Sequence, residues 1–434
     1  MKKFILSLLI FTCFYGHSQK PLLTENFLDQ KQWVDSVYSS MNIDQKIGQL
    51  FTVWVATKYG DDEIKHISKL IEDHQLGGLI FSLGNIKDQA KAINKFQEIS
   101  KVPLLISMDA EWGIGMRLDD AFSFPYNMTL GAIKNDSLVY NVGKRIGYHA
   151  KRLGVHINFA PVVDINTNPR NPIIGSRSFG EDKFNVANKG ISYLKGMHEY
   201  GIMGAAKHFP GHGDTETDSH KTLPTISFDK DRINDVELYP FKKLIENNLD
   251  GIMTAHLNIP NLDKKEISTL SQKVINNLLV NDLGFKGLVI TDALDMKAIV
   301  DFSKGDYPDI TALNAGNDLL LMPTDVAKSI KEIKKAYQKN KISPQRLESA
   351  VKKILHAKYK AGLSDLKPIE IDNIVDDLNQ DIDYALLDRL AEESITLVKN
   401  QNLNLPLDIS NNQSVGYINF GDDYYNTFIN YINK

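Results

Sequence analysis

Ile202-Met203-Gly204-Ala205-Ala206-Lys207-His208-Phe209-Pro210-Gly211-His212-Gly213-Asp214 is an apolar run that ends in ionisable residues and passes into a glycine-punctuated loop. An apolar strand capped by polar residues at its carboxyl end is the opening of a βα unit. The pattern recurs along the chain. Gln49 to Val55, Gly77 to Ser82, Pro103 to Met108, His156 to Val163, Ile202 to Lys207, Gly251 to His256, Gly287 to Thr291 and Asp318 to Met322 are short apolar, β-branched runs. Segments of helical period separate them, among them Asp61 to His74, Ile86 to Ser100, Asp136 to Leu153, Lys183 to Tyr200, Asp231 to Asn247 and Ser271 to Leu283. Eight strands alternating with helices predict an α/β chain folded as a (β/α)8 TIM barrel over residues 43–365, with a doubly wound open sheet as the alternative.

The placement of charge favours the barrel. Asp109, Asp164, Lys207 with His208, His256 and Asp292 all stand at the carboxyl ends of expected strands. Any one of them can be a polar residue capping the next helix. Five strands repeating the feature fit a barrel, which gathers these ends around one mouth and builds its active site there.

Two segments carry the densest chemistry. From Lys207 to His220 the chain holds three histidines and three acids, and Pro210, Gly211 and Gly213 make it a loop able to reach over the mouth. In its extended end, Asp218 and His220 are two residues apart and can point to one side. A carboxylate that fixes an imidazole tautomer makes an oriented proton carrier near neutral pH. His208, His212, Asp214 and His220 are also possible metal ligands. Pro210 and Gly211, however, break the helix on which a four-residue histidine spacing relies, and no metal is expected. Lys207, flanked by an apolar strand, is expected to point inward toward a polar ligand. The second segment is Gly287-Leu288-Val289-Ile290-Thr291-Asp292, an apolar strand ending abruptly in an acid. A carboxylate there can attack an electrophilic carbon or stabilise a cation, as sugar-transfer chemistry requires. Asp295, three residues on, is read as a helix cap.

The remaining composition sets limits. With 50 Lys and Arg against 54 Asp and Glu, the net charge of -4 gives no electrostatic footprint for nucleic acid. Residues 1–18 depart from the average: Lys2 and Lys3 precede an apolar run from Phe4 to Tyr15, and Gly16-His17-Ser18 follows. This reads as an export signal, with residues 19–42 as a lead-in, and places the mature chain in the periplasm or outside the cell. No later segment approaches the ~20 apolar residues of a membrane span. Cys13, the single cysteine, lies in the signal, so no disulfide is expected.

On these residues the chain resembles the β-N-acetylhexosaminidase (N-acetylglucosaminidase) branch of glycoside hydrolase family three. The run Lys207-His208-Phe209-Pro210-Gly211-His212-Gly213-Asp214 with its Asp218-Ser219-His220 end is similar to the signature of that branch rather than of the β-glucosidase branch. Asn171 to Gly180 and Met253-Thr254-Ala255-His256 are similar as well. The resemblance implies that Asp292 is the nucleophile and that His220 with Asp218 is the acid/base pair of a retaining mechanism. It places Asp109, Arg177, Lys207 and His208 on sugar hydroxyls, with no cofactor and with amino-sugar glycans as partners: peptidoglycan fragments, chitin oligomers or N-glycan ends.

Arg177 could instead pair locally with Glu181 or Asp182. Competing functions are a β-glucosidase, a phosphorylase of the same family in which phosphate replaces water, a metal-dependent barrel hydrolase, and a non-catalytic sugar-binding barrel. Trp112 departs from the family's usual Asp-x-Glu-Gly-Gly run at 109–113 and is open to sugar stacking or to packing. Residues 366–434 are expected to form a linker and the start of an incomplete sandwich-like α/β domain. Ser394 to Asn400 resembles its entry, Val415 to Phe420 reads as a strand and Asp423 to Ile432 as a short helix. About forty residues cannot complete such a domain, so either the chain is truncated, which is the expectation, or this tail packs on the barrel.

Overall fold

The computed structural model describes residues 20–217, 222–303, 307–400 and 430. The signal expected at 1–18 and the late strand and helix at 415–432 lie outside these residues, apart from Asn430. Residues 1–394 form one compact unit and 395–434 another. In the second, residues 395–400 form no regular element.

Eight strands build the first unit: β1 (Phe51–Val55), β2 (Gly78–Phe81), β3 (Leu105–Met108), β4 (Ile157–Asn158), β5 (Met203–Phe209), β6 (Gly251–Thr254), β7 (Leu288–Thr291) and β8 (Leu320–Leu321). Each pairs in parallel with its sequence neighbour from β1 to β7. β8 returns to β1, placing Phe51 beside Leu320 and Thr52 beside Leu321. β7 meets the start of β8 at Ile290 and Leu319, where the Thr291 N–H donates to Leu319 O at 3.0 Å. The sheet therefore closes into the expected (β/α)8 barrel. A doubly wound sheet would leave two open edges and a reversal of strand order.

The outer helices follow from period and capping. α1 (Gly60–His74) buries Ile67 and Ile71 against the barrel, and α2 (Ile86–Ile99) begins at Asn85, whose side chain accepts from the Asp88 N–H. α3 (Asp136–Arg152) and α4 (Lys183–His198) start the same way, with Asn135 and Asp182 satisfying N–H groups that have no partner in the first turn. The single helix expected from Asp231 to Asn247 is instead a turn at Lys230–Arg232, a π-helical stretch at Ile233–Glu237 and α5 (Tyr239–Glu246). Pro240 has no N–H, so the ladder must re-form around it. Lys273–Asp282, also expected as an α-helix, is π-helical. α6 (Pro308–Ala315), α7 (Val326–Gln338) and α8 (Pro344–Lys360) complete the ring, and α9 (Asp381–Ser394) follows. Asp383 of α9, fully buried, accepts from Arg145 of α3 at 2.7 Å. This contact carries the compact unit past residue 365. Among the described residues no helix is long and apolar enough to cross a membrane.

The amino ends of the strands carry their own polar set. Asp250 binds His198 at 2.7 Å and Lys360 at 2.5 Å, and Asp318 binds Arg346 at 3.1 Å and Lys353 at 2.9 Å. Lys358, fully buried on α8, donates to Gln49 Oε1 at 2.5 Å.

Candidate active site

A cavity of about 430 Å³ opens at the carboxyl ends of the strands. Its walls differ in character. Strands β8, β1 and β2 contribute Leu321, Met322, Trp54, Ile80 and Phe81, whereas the ends of β3 and β5 and the loop after β4 contribute Asp109, Glu111, Lys207, His208 and Arg177. Asp292 follows β7 at the rim between them.

Asp109 comes directly after β3. One of its oxygens accepts from Lys207 Nζ at 2.7 Å and the other from Arg117 Nη2 at 2.6 Å. Burial pushes this carboxyl up, but Lys207 and Arg117 outweigh it and hold Asp109 well below the usual carboxylate range. Glu111 lies two residues further along the same loop and is fully buried. It accepts from Arg177 Nη2 at 2.6 Å and Nε at 2.9 Å, and from Lys207 Nζ at 2.8 Å. Burial again acts upward, yet Lys207 and Arg177 bring Glu111 down to about 2. The alternative partners of Arg177 in its own loop are thus not used: its guanidinium crosses to Glu111. Burial would lower Arg177, but Glu111 raises it above the ordinary arginine value.

Lys207 and His208 are consecutive, and both line the cavity; the peptide between them is cis. The His208 Nδ1–H donates to Asp164 Oδ2 at 2.6 Å, because a carboxylate can only accept. Nε2 is left as an acceptor, 3.3 Å from Arg177 Nη2. Asp164 also accepts from the His208 N–H at 3.2 Å and the His212 N–H at 2.7 Å. Burial raises Asp164, and the two histidines more than reverse it.

The loop that continues toward Thr217 is tied to the loop after β4. Asn171 donates to His212 O at 2.8 Å, Thr167 donates to Asp214 at 3.2 Å, and Arg170 pairs with Glu216. An added Cβ at Gly213 would lie 1.7 Å from Ile165 O, so only glycine permits this approach. His212 lines the cavity and is brought down to about 4, chiefly by burial. Among the described residues no group of three His, Cys, Asp or Glu side chains converges on a metal position. Asp218 and His220, the expected proton carrier, lie outside the described residues.

Asp292 is half-buried and lines the cavity. Its N–H donates to Thr254 O at 3.0 Å, and its Oδ1 accepts the Ala293 N–H at 2.9 Å. Burial raises this carboxyl, but His208, His256, the Ala293 N–H and Lys207 together place it below the ordinary value, so it is ionised at neutral pH. His256 does not reach the cavity. It is fully buried, with Nε2 2.9 Å from Ala293 O and Nδ1 2.8 Å from Thr269, and so braces the turn that carries Asp292.

Four of the seven residues singled out from sequence, Asp109, Arg177, Lys207 and His208, are thus linked in one network, and Asp292 faces the same cavity. Sequence reasoning missed Glu111 and Arg117, two and eight residues after Asp109; it read Asp164 as orienting other residues inside the mouth rather than touching substrate, and Asp164 accepts from His208 and His212. It left Trp112 between sugar stacking and packing; Trp112 packs edge-on against Tyr126 with ring centroids 4.6 Å apart, and Trp54 and Phe81 are aromatic residues that line the cavity. Asp295, read as a cap, also lines the cavity and is exposed.

Residues 42–357 match the profile described as the glycosyl hydrolase family 3 N terminal domain. A β-hexosaminidase A from Pseudoalteromonas piscicida is 33% identical over 424 residues, spanning 90% of this chain and 69% of that protein. A β-hexosaminidase from Haemophilus influenzae (strain PittEE) is 34% identical over 58% of this chain and 74% of its own length. Among solved structures, a glycoside hydrolase family 3 β-N-acetylglucosaminidase from Paenibacillus sp. str. FPU-7 superposes with a TM-score of 0.78 at 35% identity, covering 83% of this chain and 70% of that one. The β-glucoside phosphorylase BglX, bound to 2FGlc, gives 0.82 at 25% identity, covering 90% of this chain and 71% of that one.

Proposed function

The chain belongs to glycosyl hydrolase family 3, and from that premise we propose that it is a retaining β-N-acetylhexosaminidase that removes terminal β-linked N-acetylglucosamine. One observation carries the reading. An ionised aspartate at the end of β7 faces a cavity whose other wall is a fixed set of carboxylate, lysine, arginine and imidazole groups. Such a wall offers both donors and acceptors to vicinal hydroxyls. Asp109, Arg177, Lys207 and His208 hold the terminal sugar and present its anomeric carbon to Asp292.

Asp292 attacks that carbon and forms a glycosyl ester while His220, protonated and oriented by Asp218, gives its proton to the leaving oxygen. Neutral His220 then takes a proton from water, which attacks the ester and frees Asp292. The signal-like residues 1–18 support export, so the substrates in reach are peptidoglycan fragments, chitin oligomers and N-glycan ends. The names of the relatives at 33% and 34% identity support the amino-sugar preference.

A second reading is phosphorolysis, favoured by the likeness to the β-glucoside phosphorylase. The deciding experiment compares N-acetylglucosaminide and glucoside chromogens, each with and without phosphate, for the wild type and for Asp292→Asn. Preferential cleavage of the first chromogen, independent of phosphate and abolished in Asp292→Asn, is expected. Preference for the glucoside, or an active Asp292→Asn protein, overturns the proposal.

A further inference from the structure

Lys207 and Arg177 are two of the three cations that line the cavity, with Arg117 the third, and both touch one group that has not been given a role. Glu111 spans them: the guanidinium lies on it in a two-pronged contact at 2.6 and 2.9 Å, and the ammonium reaches the same Oε1 at 2.8 Å. Its backbone is held too. The single hydroxyl hydrogen of Tyr193 is shared between Ala110 O at 3.0 Å and Glu111 O at 3.1 Å, and Asn158 both accepts from the Ala110 N–H at 3.0 Å and donates to Ala110 O at 3.1 Å. Carboxylate and peptide are thus fixed together.

Donor accounting shows what this does for a ligand. Arg177 gives Nε and one Nη2 hydrogen to Glu111, the other Nη2 hydrogen faces His208, and one Nη1 hydrogen goes to Ile173 O at 3.3 Å. Lys207 uses one hydrogen on Asp109 and one on Glu111. Each cation keeps one N–H for a guest. The charges are also balanced: Asp109 answers Arg117, Glu111 answers Arg177, and Lys207 is shared by both acids. With Asp292 ionised, the cavity has no surplus positive charge.

We propose that Glu111 is a positioning and charge-setting residue: it aims the remaining donors of Arg177 and Lys207 at the sugar, and it cancels their charge so that the pocket takes a neutral glycone and rejects an anionic one. The inference rests on the reading of this cavity as a glycone pocket, but not on which sugar fills it. Uronic acids and phosphorylated sugars are then poor substrates. They would meet ionised Asp109, Glu111 and Asp292, with every cation among the described lining residues, Arg117 included, already answered by a carboxylate.

The test uses the full chain and whichever chromogenic glycoside the wild type cleaves best, with inorganic sulfate as the anionic probe. A glucoside preference would therefore defeat the amino-sugar reading and leave this test intact. Glu111→Gln keeps the shape and removes the charge. It is expected to raise KM and lower kcat/KM by about 100-fold, since misaimed donors a short distance off carry that cost. Its sulfate inhibition constant is expected to tighten by about tenfold, from one uncancelled positive charge. Glu111→Asp keeps the charge but shortens the reach, and is expected to lose kcat/KM while sulfate inhibition stays at the wild-type level. Adding Arg177→Gln to Glu111→Gln is expected to cost little further, because both changes remove one alignment. Wild-type kinetics in Glu111→Gln, unchanged sulfate inhibition, or a melting temperature that falls while kcat/KM per folded molecule holds would each overturn the proposal. Should Glu111→Gln not fold, Glu111→Asp decides: a retained KM refutes the positioning role.

Discussion

Replacing Lys358 by methionine should change how stability depends on pH without touching catalysis. Lys358 is fully buried, and among the described residues its amine hydrogen-bonds to Gln49 Oε1 at 2.5 Å. Burial brings the amine down to about 7 from the ordinary lysine value of 10.5. The unfolded chain then binds a proton that the native state lacks, across the whole interval between these two values. Since the native value is depressed, the penalty is absent above the unfolded value, grows as pH falls, and levels off below about 7. Stability from this group therefore rises with pH. One proton per pH unit is worth about 1.4 kcal/mol, so between about pH 7 and about pH 9.5 the wild type should gain about 3 kcal/mol more than Lys358→Met. Loss of the Gln49 contact is independent of pH and drops out of the difference. His156, also buried nearby and brought down to about 3, is neutral throughout that range and is silent. Urea unfolding of both proteins across the interval, followed by tryptophan fluorescence, measures the difference. Parallel stability curves would refute the reasoning, for they would mean that the native amine is already charged. A changed kcat/KM would refute the assignment of this end of the barrel to stability.

Three further outcomes are expected. Asp164→Asn puts an amide donor where three N–H groups now converge, leaving at least one unsatisfied; the variant should lose about 1–3 kcal/mol of stability, read by denaturant unfolding, and kcat/KM should fall with it. Asp309, buried on α6, accepts from Ser329 at 2.9 Å through one oxygen while the other has no partner, and burial raises its carboxyl above the usual value. A raised native value means that its contribution is lost as pH climbs from about 3.8 to that value and is constant above it, so the melting temperature of Asp309→Asn should gain on that of the wild type across this acid interval and then hold a fixed offset; a constant offset across the acid interval itself would contradict this. His220→Ala should slow glycosides with poor leaving groups by about 100-fold while sparing activated aryl glycosides, and equal losses on both would remove the proton-transfer role.

The fold was largely legible because the barrel strands lie in short, mostly apolar runs, and periodicity reports such runs well. The ends were less so. His156 to Val163 was expected as one strand, but only Ile157 and Asn158 pair regularly; Pro161 has no N–H for the ladder, and the chain rejoins β5 through a single bridge at Val162 and Lys207. Site residues at strand ends were legible for the same reason as the strands. Their partners were not. Glu111 and Arg177 meet across 66 positions of sequence, and spacing along the chain ranks Glu181 and Asp182 ahead of any such partner. Closure of the sheet is what reverses the order.

Lys358 shows a signal of the opposite kind, present but hidden by charge. It sits among Lys352, Lys353 and Lys360, so composition marks the segment as solvated. Helical phase, however, puts it on the stripe of Leu347, Val351 and Ile354, all buried. Buried ions occur at both ends of the barrel, so burial and pairing alone do not tell function from support. Asp250 and Asp318, at the amino end, are answered by His198, Lys360, Arg346 and Lys353, and their contacts close on themselves. Lys207 and Arg177, at the mouth, are equally well paired, yet each lines a cavity and keeps one donor uncommitted among the described residues. Residual hydrogen-bonding capacity beside open volume, rather than charge or depth, is what singles out the carboxyl end as the proposed sugar site.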